Sequence, residues 1–145
     1  MFEICSNSVI SAPAKRVWAL LRDFNAMPEW NAAAKTSVIE SGPPDRVGCR
    51  RVLTFDDGSA WTHELTSLSD AERIVSYAIV GAPPGRPPLL RNYSATIRVR
   101  PVAGDETCMV EWQARFDAFD EKAAQERATA VIKAGFDGLK RYFAR

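Results

Sequence analysis

The spacing of apolar positions changes repeatedly along this chain, and each change marks a predicted element. Residues 3–10 alternate loosely and carry β-branched side chains, which suits a first strand. In SAPAKRVWALLRDF the period lengthens. Val17, Leu20, Leu21 and Phe24 fall at helical spacing, and Pro13 suits a first helical turn, where its missing N–H costs nothing. The stretch NAMPEWN, with Pro28, restarts the chain as a short second helix. From Thr36 to Val80 the period is two. Segments 35–41, 47–55, 60–68 and 73–80 read as strands separated by SGPPD, DDG and SDAE, all turn chemistry, and Asp57-Gly58 is a hairpin signal.

Strand-like alternation then breaks at VGAPPGRPPLLRNYSATIRV, where Pro83, Pro84, Pro87 and Pro88 interrupt it before it resumes. Such a stretch reads as a stiff arch on the rim of a cavity. Segments 91–101 and 107–118 follow as a hairpin around AGDE. From Asp120, a plausible N-cap, the period returns to 3.6: Ala124, Ala128, Val131, Ile132, Gly135, Leu139 and Tyr142 form a broad apolar stripe. A helix over 121–143 would be roughly 35 Å long at 1.5 Å per residue, so it needs a large concave surface to lie on. Gly135 and Gly138 sit inside it. They either let the helix backbone pack closely on the sheet or leave room for a ligand beneath it. Strands in a run with helices segregated at the ends mean an α+β fold.

A chain of 145 residues can bury the core of a single domain, here 1–145, and is short for two. Its net charge of +1 gives no electrostatic pull toward nucleic acid or an anionic membrane. MFEICSNSVI lacks the pattern of a signal peptide and no apolar run reaches the length of a membrane span, so a cytoplasmic location is expected. Cys5, Cys49 and Cys108 share no metal-ligand spacing and read as small buried hydrophobes in a reducing compartment. No metal and no cofactor is expected. P-loop, G-x-S-x-G and dinucleotide glycine patterns do not occur.

The order of elements, with the motifs SAPAKRVWALLRDF, MPEWN, VGCRRVLTFDDG, LLRNYSATIRV, VEWQARFDA and IKAGFDGLKRYF, resembles the polyketide cyclase/dehydrase-like branch of the superfamily shared by START domains and the birch-pollen allergen (SRPBCC). The resemblance covers essentially the whole chain. It implies a helix-grip fold, in which a curved antiparallel sheet of about seven strands wraps around a long C-terminal helix, with two short helices after the first strand. It implies a cavity more than a reaction. Where relatives carry a Trp-His-Pro-like stretch this chain has Trp30-Asn31-Ala32, so no role of that histidine carries over.

Candidate site residues follow from strand phase. His63, the one histidine, shares a face with Trp61 and Leu65, where a neutral imidazole could meet a polar ligand group. Arg51 is in phase with Leu53 and Phe55. If those point inward so does Arg51, which then requires a carboxylate or an anionic ligand; otherwise it faces solvent. Glu111, opposite Val110 and Trp112 in phase, reads as exposed. Trp30, Trp61, Tyr77, Tyr93, Trp112, Phe116 and Phe136 come from separate segments that border one interior, and Tyr77 and Tyr93 flank the proline stretch as candidates to orient a ligand. The set expected to bind ligand is therefore Trp30, Arg51, Trp61, His63, Tyr77, Tyr93, Trp112, Gly135 and Gly138. The first expectation is a binding module for a small hydrophobic or aromatic molecule held between sheet and C-terminal helix. Two others stay open. One is a cyclase or dehydratase-type enzyme acting on a polyketide-like or aromatic substrate, with His63, Tyr77 or Tyr93 moving a proton. The other is a protein-interaction module using the same groove. Whether the chain forms a homodimer is also left open by the sequence.

Overall fold

A computed structural model describes residues 1–82 and 90–144. The proline-rich arch, with Pro83, Pro84, Pro87 and Pro88, lies outside the described residues. The alternation at the N-terminus forms β1 (Phe2–Ile10), whose side chains point in turn to the interior and to solvent. The helical spacing that follows gives α1 (Ala14–Leu21), which buries Ala14, Val17, Trp18 and Leu21. Pro13 stands just before it, at the N-cap. Pro28 sits near the start of the single-turn α2 (Met27–Trp30).

The meander comprises β2 (Ala34–Ser41), β3 (Arg50–Phe55), β4 (Ala60–Ser69), β5 (Ile74–Gly81), β6 (Arg91–Pro101) and β7 (Cys108–Asp117). Strand β3 starts later than position 47, because Gly48 takes a positive φ of 97° in the preceding turn. All seven strands form one sheet in the order β1-β7-β6-β5-β4-β3-β2, with every neighbouring pair antiparallel. Thus β1 and β2 occupy opposite edges. The α1–α2 segment carries the chain across the face of the sheet, and the remaining strands return by hairpins.

The long helix α3 (Glu121–Phe143) is opened by Asp120, whose side chain accepts from the Ala123 N–H at 3.0 Å. It lies against β1, β7 and α2, while α1 lies against β6 and β7. The core fills the space between: Ile10, Leu53, Leu65, Val110, Trp112, Phe116 and Leu139 are fully or almost fully buried. A tie from helix to sheet rim completes the frame: Trp18 Nε1 and Arg22 Nε each donate to Asp70 Oδ1 at 2.8 Å.

Three expectations are corrected here. Cys5 is exposed on the outer side of β1, whereas Cys49 and Cys108 are buried as expected. Glu111 is half-buried and accepts an ion pair from Arg100 at 2.7 Å. The interior glycines do not hold a space open. A methyl group on Gly135 would collide with the Trp112 ring, and one on Gly138 would overlap the Trp30 carbonyl. The volume each glycine leaves is filled by protein, so both serve close approach of α3 to Trp112 and α2.

Candidate functional site

Strand register builds the site. Arg51 of β3 sits directly opposite His63 of β4, Tyr77 of β5 pairs with Leu65 of β4, one inward position along from His63, and Ala95 of β6 faces Tyr77. Tyr93 lies two residues before Ala95, just past an irregularity at Asn92, which holds a positive φ of 52°. All four side chains share the concave face and are buried, from 2% exposed at Arg51 to 8% at Tyr93. Arg51 is therefore inward, in phase with the fully buried Leu53.

A buried guanidinium must find acceptors. Arg51 Nη1 donates to the Phe24 carbonyl at 2.6 Å, and Nε and Nη2 reach His63 Nδ1 at 3.4 and 3.1 Å. Arginine can only donate, so His63 Nδ1 accepts and the imidazole proton resides on Nε2. The guanidinium also lies 4.0 Å from the centre of the Phe24 ring and 4.9 Å from that of Tyr77. His63 stacks on Tyr77 with centroids 4.9 Å apart and planes 21° from parallel. No ion pair among the described residues includes Arg51.

Burial without a counter-charge sets the protonation states. Arg51 is pulled below the ordinary arginine range, down to about 10, by desolvation, which disfavours its charged form by roughly 3 kcal/mol and still leaves it cationic at neutral pH. His63 is held well below its ordinary 6.5, first by burial and then by the adjacent Arg51 charge, so it is neutral. Tyr77 and Tyr93 share a hydrogen bond, and burial raises both phenols, Tyr93 the further. Neither phenol nor imidazole is poised to exchange a proton near pH 7, and the one basic nitrogen of His63 is occupied by Arg51.

Arg51 and Tyr77 of this cluster also line a cleft. Leu21, Phe24, Met27 and Trp30 roof it from the α1–α2 segment, Arg51, Val75, Tyr77 and Ile97 floor it from the sheet, and Asp23 stands at its exposed rim. Its free space is about 10 Å³, room for roughly one water. This cleft is roofed by the α1–α2 segment, and no α3 residue lines it.

Of the other residues expected in the site, Trp30 and Trp112 meet edge to face at 5.8 Å, and Trp112 meets Phe136 at 6.1 Å. Both indole N–H groups are buried without a hydrogen-bond partner among the described residues. Trp61 shares the face of His63 but is only half-buried, its indole donating to Ser59 Oγ at 2.9 Å, and it stays outside the cluster. Gly135 and Gly138 are packing positions, as above. The Phe24 carbonyl was not legible in the sequence because a backbone acceptor has no residue signature. Asn31 was passed over as well. It is fully buried, donates from Nδ2 to the Val131 carbonyl of α3 at 3.1 Å and accepts from the Ala33 N–H at 3.0 Å. Asn31 thus forms an amide clamp between the end of α2 and α3. Among the described residues no three His, Cys, Asp or Glu side chains come together as a metal site, and no helix is long and apolar enough to cross a membrane.

Comparison with known proteins agrees with this architecture. A family model described as "Polyketide cyclase / dehydrase and lipid transport" matches residues 1–144. The solved structure of the protein XoxI from Bacillus cereus is similar at 26% identity and a TM-score of 0.87, over 99% of this chain and 96% of that one. A START superfamily protein from Mycobacterium smegmatis is similar at 12% identity and a TM-score of 0.76, over 95% and 94% of the two chains. Ara h 8.0201 is similar at 15% identity and a TM-score of 0.75, over 97% and 96%. The last two speak for the fold alone: the helix-grip arrangement of START domains and the pollen-allergen superfamily.

Proposed function

Since this chain belongs to the polyketide cyclase/dehydrase and lipid transport family, we propose that it binds a small hydrophobic or aromatic molecule in the interior between its sheet and its helices. The observation that carries the reading is the cleft itself, in which apolar and aromatic walls converge on one small set of polar donors around Arg51. The expected lining residues Trp30, Arg51 and Tyr77 border it, and His63 and Tyr93 support them from behind. A ligand larger than water needs the roof to lift. The roof is the end of α1, the single-turn α2 and the segment between them, a smaller unit to displace than α3. Binding is favoured over acid–base catalysis by the protonation states: His63 is neutral with Nδ1 engaged, and both tyrosines are held protonated. The reading calls for no metal and no cofactor.

Native mass spectrometry of protein purified without detergent tests this. A non-covalent adduct lost on denaturation is the expected result, together with a raised melting temperature when the extracted compound is added back to stripped protein. A bare chain mass, with no thermal shift from a panel of small aromatic and acyl compounds, would refute it.

A further inference from the structure

We propose that the ligand carries a carboxylate or a similar planar anionic group, and that Arg51 receives it with the Trp30 indole N–H as an added donor. This rests on the ligand-binding reading above and names the class of ligand. Arginine has five N–H donors in a planar fork. The three bonds made by Arg51 go to a backbone carbonyl and to one imidazole nitrogen, so two N–H groups remain uncommitted among the described residues. Among the described residues the groups that Arg51 contacts are neutral: a carbonyl, an imidazole held uncharged, two phenols and two ring faces, with the one carboxylate of the cleft, Asp23, at its exposed rim. A buried cation with no counter-charge is expensive to keep, and a neutral ligand would leave it so. A carboxylate answers both needs, because it supplies charge and accepts two parallel hydrogen bonds in the geometry of the fork.

Trp30 is the independent observation. It lines the same cleft as Arg51, is 4% exposed, and its Nε1 has no partner among the described residues. A buried donor left unpaired is uncommon in native proteins and calls for an explanation, which for Trp30, unlike the equally unpaired Trp112, an acceptor in the adjoining cleft would supply. Asp23 at the rim does not serve as that acceptor. It is exposed, and its carboxylate accepts from the Asn25 N–H at 3.0 Å. The nearby acids Asp56 and Asp57 are engaged by Arg127.

The experiment compares matched probes by isothermal titration: 2-naphthoate against 2-naphthamide, and decanoate against decanamide. For the wild-type chain the carboxylate of the shape that fits should bind about ten- to a hundredfold tighter than its amide, the range expected for hydrogen bonds to a charged group. Arg51→Met should erase that preference while keeping affinity for the amide. In the wild-type ¹H–¹⁵N spectrum the Trp30 indole resonance, assigned by its loss in Trp30→Phe, should move downfield with the carboxylate and stay with the amide. Equal binding of acid and amide, or a preference that survives Arg51→Met, overturns this inference and leaves the ligand-binding reading standing. Binding of none of the four probes overturns both. Should Arg51→Met not fold, wild-type selectivity and the Trp30 resonance decide the matter by themselves.

Discussion

Replacing Gly138 by alanine isolates the contact that seats the long helix. Judged from the helix alone, the change should stabilise, since alanine is favoured over glycine by about 1 kcal/mol in a helix interior. Judged from the packing it should do the reverse. The new methyl would overlap the Trp30 carbonyl oxygen, lie 2.7 Å from its carbon and 3.4 Å from the Asn31 nitrogen. These are backbone atoms, which cannot swing aside as the end of a side chain can. Relief requires α3 and α2 to separate, which also stretches the Asn31 to Val131 bond and the Trp30–Trp112 contact. Overpacking of this kind costs about 1–3 kcal/mol, and occasionally more where the neighbour is rigid. Adding about 1 kcal/mol for the strained Asn31 bond and subtracting the propensity gain leaves a net loss of about 2 kcal/mol. Urea unfolding should show the midpoint fall at unchanged slope, and melting should drop by roughly 4–8 °C for a chain of this size. A stabilised Gly138→Ala protein would refute the close approach and return the position to the role of keeping space open.

Three further outcomes can be checked on purified protein. His63 has a folded-state pKa below its unfolded value of 6.5, so its contribution is complete above that pH and is lost on acidification toward the folded pKa; stability should fall by up to about 1.4 kcal/mol per unit below pH 6.5, and His63→Gln should flatten the slope between pH 6.5 and 5, before the carboxylates titrate. Asn31→Ala should cost about 1–3 kcal/mol in urea unfolding, because the buried Ala33 N–H and one bond to α3 lose their partner, and a loss under 0.5 kcal/mol would show that the clamp does not matter. Arg51→Met should change stability by no more than about 1 kcal/mol, since relief of a buried charge offsets the partner lost by the Phe24 carbonyl; a loss of 3–5 kcal/mol would identify Arg51 as a structural latch instead.

The sheet and its helices were legible because each element carries its own period. Alternation set the strands to within a few residues, and the stripe from Ala124 to Tyr142, with Asp120 before it, set the last helix. The inward phase of Arg51 was legible too, as one of two alternatives tied to Leu53. What periodicity does not contain is the distance between elements. Gly135 and Gly138 have the same signature whether a ring fills the space they leave or a ligand does, and here Trp112 and Trp30 fill it. Trp61 shows the same limit within one strand, since phase gave its face correctly but not its place near the start of β4, where the interior opens toward solvent. The roof of the cleft was missed for a third reason. Phe24 contributes a backbone oxygen, and Leu21 and Met27 read as ordinary core on short helices.

These facts converge on a division of labour within one fold. At the end of the sheet where α3 lies, glycines and interlocked tryptophans close the interior, and Asn31 ties the helices together. Over the cleft, the roof is a short segment whose Phe24 carbonyl is held by the buried Arg51, with further ties from Trp18 and Arg22 to Asp70 and from Asn25 to Ser37. A core built for stability alone would place an apolar residue at position 51, since the guanidinium sacrifices roughly 3 kcal/mol of its preference for the charged state on burial and meets only neutral partners. Moreover, Trp30, whose buried indole N–H has no partner among the described residues, lines the same space. Each feature alone is a small defect in packing. Together, in one cleft, they are the features that the proposed anionic ligand would complete.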